Sequence, residues 1–258
     1  MELATIIGIA LAFLGIIGGL ILEGGNMGQI IKPTAALIVL GGTFGATMVT
    51  VPLANFMIAL KCFIYILKPP FLDAGAIIED MIKYATKARK EGIISLEADA
   101  KDIKDPFLKK ALMMAIDGAD PKELRHNLEM QLGYIDEHGQ IASKVWEAAG
   151  AYAPTIGIIG AVMGLIQVMG HLDDIEEVGH GIATAFVATI YGLLLANVFM
   201  LPAAGKLMGQ HKKSMVIKEM IIEGILLVIE GVNPMIMRDK LSSFFVEKVT
   251  KDEGEETK

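Results

Sequence analysis

Two sets of residues carry the chemistry open to this chain. The first lies inside long uncharged stretches: Pro154, Thr155, Gln167, Thr184, Thr189, Tyr191, Asn197 and Pro202. Hydroxyls and amides offer oxygens to a cation or a water, and a proline leaves a backbone carbonyl without its helical donor. None of these groups titrates near neutrality. A carrier or channel coupled to protons or metal cations usually holds an ionisable group within the membrane. If an ion passes here, the titratable residue comes from another chain. The second set is surface charge, above all Arg89 and Glu97, which taken alone read as ordinary solvated residues worth little as a pair. His171, Asp173, Asp174 and His180 are metal-ligand types, but two histidines nine apart on a short loop fix no geometry, and a solvated acidic loop is the better reading. His126 and His138 read as surface. No phosphate-binding glycine loop, metal-spaced His/Cys set or nucleophile–base pair emerges, so no enzyme, cofactor or metal site is expected.

The elements that must position these residues follow from composition. Hydrophobic residues make up 53% of the 258 and charged residues 21%, a mixture that a soluble chain does not hold so unevenly. Residues 3–22, 34–60, 148–169 and 181–205 contain no Asp, Glu, Lys, Arg or His. Each reaches the ~20 residues that cross ~30 Å of hydrocarbon at about 1.5 Å per residue. The stretch 3–22 lacks the basic flank and small-residue site of a cleaved signal and is read as a retained span. Of 23 Lys and Arg, 13 fall from Lys61 to Lys144 and 9 from Lys206 onward. Lys32 alone lies in the loop 23–33, and none lies in 170–180, so the positive-inside rule puts both termini in the cytoplasm. A single cysteine, Cys62, excludes an intramolecular disulfide and fits a reducing compartment. The net charge of −7 gives no sign of nucleic-acid binding, and residues 251–258 read as a disordered, soluble tail.

The resulting expectation is an all-α membrane protein: four transmembrane helices, a helical cytoplasmic domain between helices 2 and 3, and a cytoplasmic C-terminal helix. Its parts are 1–60 (spans 1 and 2 with a short external loop), 61–147 (cytoplasmic helices), 148–205 (spans 3 and 4 with a short acidic loop) and 206–258 (cytoplasmic helices and tail). Pro33 starts the second span, Pro52 kinks or ends it, and Pro69-Pro70 breaks the helix that emerges beyond Pro52. Asp73, Asp105 and Asp120 cap cytoplasmic helices, the last two with proline at the first helical position, and Asp120 with Glu123 suggests a capping box. Gly92 stops the first of these helices. From Pro121 no strong breaker appears before Pro154, and the fourth span is expected to run past Pro202 to about Val232, with Asn233-Pro234 starting a last helix. Small residues at four-residue spacing (Gly15/Gly19, Gly41/Gly45, Gly160/Gly164, Ala188/Gly192/Ala196) predict close helix packing, within the chain or between copies.

Three motifs in order then become recognisable. Ala153-Pro154-Thr155-Ile156-Gly157 through Gly160, Gly164 and Ile166 resembles the third-span motif of the A subunit of the flagellar motor stator, the MotA/PomA type. Thr184 to Gly192, with Asn197 and Pro202, resembles the fourth span of that family. Lys87-Ala88-Arg89-Lys90-Glu91-Gly92 to Glu97 resembles its cytoplasmic motif. The resemblance covers nearly the whole chain.

It implies a channel subunit in the bacterial inner membrane that turns ion flow into flagellar torque. The implied partners are a dimer of a single-span B subunit carrying the ion-binding Asp, a rotor ring protein, further copies of this chain (a pentamer) and membrane lipid. It implies rotor contact by Arg89 and Glu97, and an ion pathway at Pro154, Thr155, Ala161, Thr189 and Pro202. Sodium-type members usually carry threonine where this chain has Ala161, so protons are favoured; a sodium-driven stator is the alternative within the family. An ExbB/TolQ-type energiser of outer-membrane processes is the nearest rival, disfavoured because such proteins have three spans. A membrane scaffold that conducts nothing is a more distant one.

Overall fold

The computed structural model describes residues 3–68 and 73–245. The expected break at Pro69-Pro70 and the tail 251–258 lie outside the described residues. Every regular element among those described is helical, and four helices are long and apolar enough to cross a membrane. By internal contact the chain divides into two units, residues 1–70 with 138–211 and residues 71–137 with 212–258.

The first unit holds α1 (Leu3–Leu22), α2 (Met27–Ile30), α3 (Pro33–Thr50), α4 (Leu53–Cys62) and α5 (Ile64–Leu67). Pro33 sits in the first turn of α3, where its missing N–H costs nothing. Thr50 ends that helix, and Pro52 opens α4, as expected. Asn26 starts the short α2. Its side chain accepts from Gly28 N while Gln29 bonds back to its backbone, and the paired bonds nucleate the single turn α2.

Buried positions on α3 recur every fourth residue (Ala35, Val39, Thr43, Thr47) and face α10 (Ile141–Met169) and α11 (Ile175–Leu194). Those two helices pack through glycine. A Cβ added to Gly192 would lie 2.5 Å from the Ala153 carbonyl oxygen, and one on Gly157 would lie 2.9 Å from the Ala188 carbonyl oxygen. Backbones this close gain dispersion contacts that lipid cannot match. Gly160 and Gly164 are equally confined, whereas Gly15, Gly19, Gly41 and Gly45 look onto open space. Only the third and fourth small-residue sets therefore serve intrachain packing. Polar side chains add ties: Trp146 Nε1 donates to the Ala59 carbonyl at 3.0 Å and Ser143 Oγ to the Ala204 carbonyl at 2.8 Å.

In the second unit Asp73 caps α6 (Ala74–Glu91) by accepting from Ala76 N. A short 3₁₀ turn (Ile93–Leu96) and α7 (Glu97–Asp102) come next, filling a stretch for which the sequence suggested no helix. Asp105 caps α8 (Pro106–Ile116), and Asp120 accepts from the backbone at the start of α9 (Pro121–Gly139). Buried Met81, Leu96, Leu112, Leu124, Leu128, Ile221 and Ile225 form this unit's core.

The helix from Pro121 is interrupted for one residue at Gln140, and α10 (Ile141–Met169) then passes through Pro154 unbroken. Helix α11 (Ile175–Leu194) runs through a π-helical segment (Leu195–Met200) into α12 (Leu201–Ile229), and α13 (Pro234–Ser242) starts at the Asn233 cap. The expected passage beyond Pro202 thus occurs, with a π turn just before the proline. There the Leu201 N–H reaches back five residues to the Ala196 carbonyl, the wider turn that commonly absorbs local strain in long helices.

Gly192→Val forces side-chain atoms into the Ala153 carbonyl and is expected to separate α10 from α11. Thermal unfolding in detergent tests this: a loss of at least about 2 kcal/mol is expected, in the range for overpacking a close-packed core, whereas Gly41→Val, facing open space, is expected to change stability little.

Candidate functional site

The first cluster is built on the α10–α11 crossing. Gly157 lies one turn beyond Ala153, and a Cβ there would be 3.4 Å from Thr189 Cα. Thr189 therefore stands across from the turn that carries Pro154 and Thr155. Ala161 follows Gly160, whose added Cβ would lie 2.9 Å from Ala188 Cβ, so Ala161 flanks the next level of the same crossing. Pro202 sits further along: it follows Leu201, whose side chain covers Gly150 at 2.6 Å from an added Cβ. The crossing thus gathers Pro154, Thr155, Ala161 and Thr189 into one band, with Pro202 about a turn below Pro154.

The electrostatics of the band are those of neutral oxygen. Thr155 Oγ1 donates to the Tyr152 carbonyl at 2.8 Å and Thr189 Oγ1 to the Ala185 carbonyl at 3.4 Å. With its hydrogen committed to its own helix, each hydroxyl presents lone pairs to whatever approaches. Pro154 has no N–H for the Gly150 carbonyl, and Pro202 none for that of Val198. Along α10 the residues Thr155, Ile159, Val162, Ile166 and Met169 form an uncovered face. Two span residues grouped with these by sequence are used elsewhere. Tyr191 OH donates to the Ile30 carbonyl at 2.6 Å and accepts from Lys32 N at 3.2 Å, tying down the loop before α3. Asn197, within the π segment, donates from Nδ2 to the Leu193 carbonyl at 2.9 Å. In the loop before α11 Asp174 is spent capping that helix, accepting from Glu176 N and Glu177 N, and His171 Nε2 lies 3.4 Å from Glu177.

The second cluster is the corner between α6 and α7. Gly92 takes φ +83 and ψ 158, a region open essentially to glycine alone, and its N–H closes α6 on the Ala88 carbonyl. Ser95 Oγ then donates to the Gly92 carbonyl at 2.7 Å, and Leu96 is fully buried beneath. Lys87 Nζ reaches Asp99 at 2.6 Å across the corner, and that carboxylate holds the lysine above its usual range. On this braced turn Arg89 and Glu97 are both exposed. The two therefore share one corner of the second unit. Glu97 also has a neighbour that its sequence context offered and the sequence reading missed: Lys101 Nζ at 3.6 Å, one helical turn on, the usual spacing of a Glu–Lys helix pair.

A helical, multi-pass membrane subunit with a second helical unit is the class these features define. Residues 6–92 match the motility protein A N-terminal family and residues 99–220 the MotA/TolQ/ExbB proton channel family. The chain is 37% identical to motility protein A of Aquifex aeolicus over 246 residues, covering 93% of this chain and 95% of that protein. It is 34% identical to motility protein A of Bacillus subtilis over 252 residues, with 96% and 92% covered. Its fold matches a chain of C. jejuni MotAB with a TM-score of 0.91 at 32% identity, covering 95% of this chain and 96% of that one. It matches the flagellar MotAB stator complex of B. subtilis with a TM-score of 0.84 at 34% identity, covering 92% and 93%. The chain belongs to the motility protein A family. It is accordingly a multi-pass inner-membrane protein, from a family of channel subunits rather than of enzymes.

Gly92→Ala is expected to cost about 1–3 kcal/mol of local stability, because alanine is strained at this backbone conformation. Hydrogen exchange at residues 88–97 checks it: faster exchange confined to this corner is expected, and unchanged exchange refutes the bracing role.

Proposed function

We propose that this chain is the A subunit of a flagellar motor stator, and that with a B subunit it forms an ion channel converting ion-motive force into torque. The observation that carries this is an ion-path wall without charge in a chain related over nearly its full length to motility protein A. A carboxylate is needed within the membrane and this chain has none there, so a partner aspartate completes the site. The resemblance supports a pentamer of this chain around a dimer of single-span partners, with both termini in the cytoplasm.

In this reading the partner aspartate alternates between its protonated and charged forms as it passes successive copies. The lone pairs of Thr155 and Thr189 accept from its protonated carboxyl or from water, while Pro154 and Pro202 free carbonyls along the path. Ala161 offers no oxygen, which favours protons over sodium, since sodium needs several oxygen ligands. The Arg89/Glu97 corner meets charges on a rotor ring. Exposed pairs worth about 0–1 kcal/mol each suit a surface that must release at every step. The family match at residues 6–92 favours this reading over an ExbB/TolQ-type energiser.

In a deletion strain, the Arg89→Ala, Glu97→Ala double variant is expected to reach the membrane at normal level yet fail to support swimming; normal swimming refutes the torque role. Replacing sodium by potassium at fixed proton-motive force is expected to leave swimming speed unchanged, and a speed that tracks sodium contradicts the proton assignment.

A further inference from the structure

Helix α3 ends at Thr50, and beside that end a pair of hydroxyls lies outside both clusters described above. Thr50 Oγ1 and Tyr152 OH are 2.9 Å apart and join α3 to α10. Close packing sets the register that brings them together: a Cβ on Gly160 would lie 3.3 Å from Ile38 Cγ2, and one on Gly42 would lie 2.7 Å from Ile156 Cγ2. Tyr152 comes one turn before Ile156 and so stands at the rim of this contact. Its other helical neighbour is Thr155, three residues on, where the uncovered face of α10 begins. Thr155 Oγ1 bonds the Tyr152 carbonyl at 2.8 Å. The hydroxyls of Thr155, Tyr152 and Thr50 thus follow one another from the band at the α10–α11 crossing to the end of α3.

Two features separate this pair from an ordinary tie between helices. The ties that hold the unit together, Trp146 to Ala59 and Ser143 to Ala204, are buried, whereas Thr50 is exposed and Tyr152 only half-buried. The helix end beside the pair is also left polar, because Pro52 has no N–H for the Met48 carbonyl. Thr50 Oγ1 donates to the Ala46 carbonyl at 3.0 Å. With that hydrogen committed, Tyr152 gives its own hydrogen to Thr50, and the phenol oxygen keeps its lone pairs open to a donor. Two hydroxyls are too few oxygens for sodium, but they suffice to hand on a proton.

We propose that Tyr152 and Thr50 form the exit of the ion path, a hydroxyl relay that takes a proton from the band at Thr155 and delivers it to water at the end of α3. A proton reaching the Tyr152 oxygen through water sends the phenol hydrogen to Thr50 Oγ1, and the Thr50 hydrogen leaves the Ala46 carbonyl for water. One proton enters and one leaves, so neither hydroxyl is charged after the transfer. The relay rests on the stator reading and adds two residues of this chain to which that reading gives no role. In the orientation proposed above, this end of α3 faces the cytoplasm.

Proton flux into sealed vesicles holding the complex of this chain with its B subunit tests the relay. Tyr152→Phe and Thr50→Val are each expected to cut the flux about ten-fold or more, well within what one positioned proton-transfer group supplies, with the complex assembled at its normal level. Thr50→Ser, which keeps the hydroxyl, is expected to bring the flux back toward that of the wild type. Imidazole on the side that Thr50 faces is expected to raise the Tyr152→Phe flux and to leave the wild-type flux unchanged. A diffusing base replaces a missing relay, whereas it does not repair a lost tie between helices. Unchanged flux in Tyr152→Phe overturns the relay alone. A loss that imidazole does not relieve, or that accompanies loss of assembly, also overturns it and makes the pair a packing bond. Absence of flux through the wild-type complex overturns the stator reading and the relay with it.

Discussion

The contact on which the rest depends is the approach of α11 to the backbone of α10 at Gly192, where an added Cβ would lie 2.5 Å from the Ala153 carbonyl. In lipid there is no hydrophobic gain from pressing two apolar helices together, so intimacy of packing has to supply the association. Glycine on both sides of the crossing gives that intimacy. It also settles register: with Gly157 against Ala188 and Gly192 against Ala153, Thr189 can stand only opposite the turn after Pro154. The buried stripe of α3 packs on the same pair, and the Trp146 and Ser143 bonds hold the neighbouring α4 and α12 segments to α10.

From that register follows the electrostatic character of the wall. Its hydroxyl hydrogens are turned back to their own helices and its prolines withhold donors, so oxygen lone pairs are what it has to offer. In the proposed stator, such a surface lowers the cost of a passing proton or hydrated cation without trapping it, as a fixed charge in hydrocarbon would. The Arg89/Glu97 corner obeys a different rule. Its charges are solvated and weak singly, and the work of holding them falls to groups beneath: Gly92, the buried Leu96, and the Lys87–Asp99 bond.

Much of this was legible in the sequence. Span lengths, the proline starts at Pro33 and Pro106, the aspartate caps and the Gly92 stop are local signals, and the structure obeys them. The features that were not legible depend on partners distant in the chain. Nothing local separates Gly41/Gly45, which face open space, from Gly160/Gly164, which pack on α11. Tyr191 reads as a span hydroxyl until Ile30 and Lys32 are brought to it. Pro154 looks like a breaker but lies inside an unbroken helix, because neighbouring helices hold the backbone in place of the lost bond. The π segment before Pro202 has no sequence signature of its own. The Glu97–Lys101 pair, by contrast, was there to be read in the spacing.

In the proposed reading this chain forms a wall of the ion path and a partner supplies the titrating carboxylate. Proton flux into sealed vesicles measures it most directly, with this chain reconstituted alone, with its B subunit, and with a B subunit whose membrane aspartate is replaced by asparagine. Flux is expected only with the intact partner. Flux through this chain alone, or flux that survives the aspartate replacement, contradicts it.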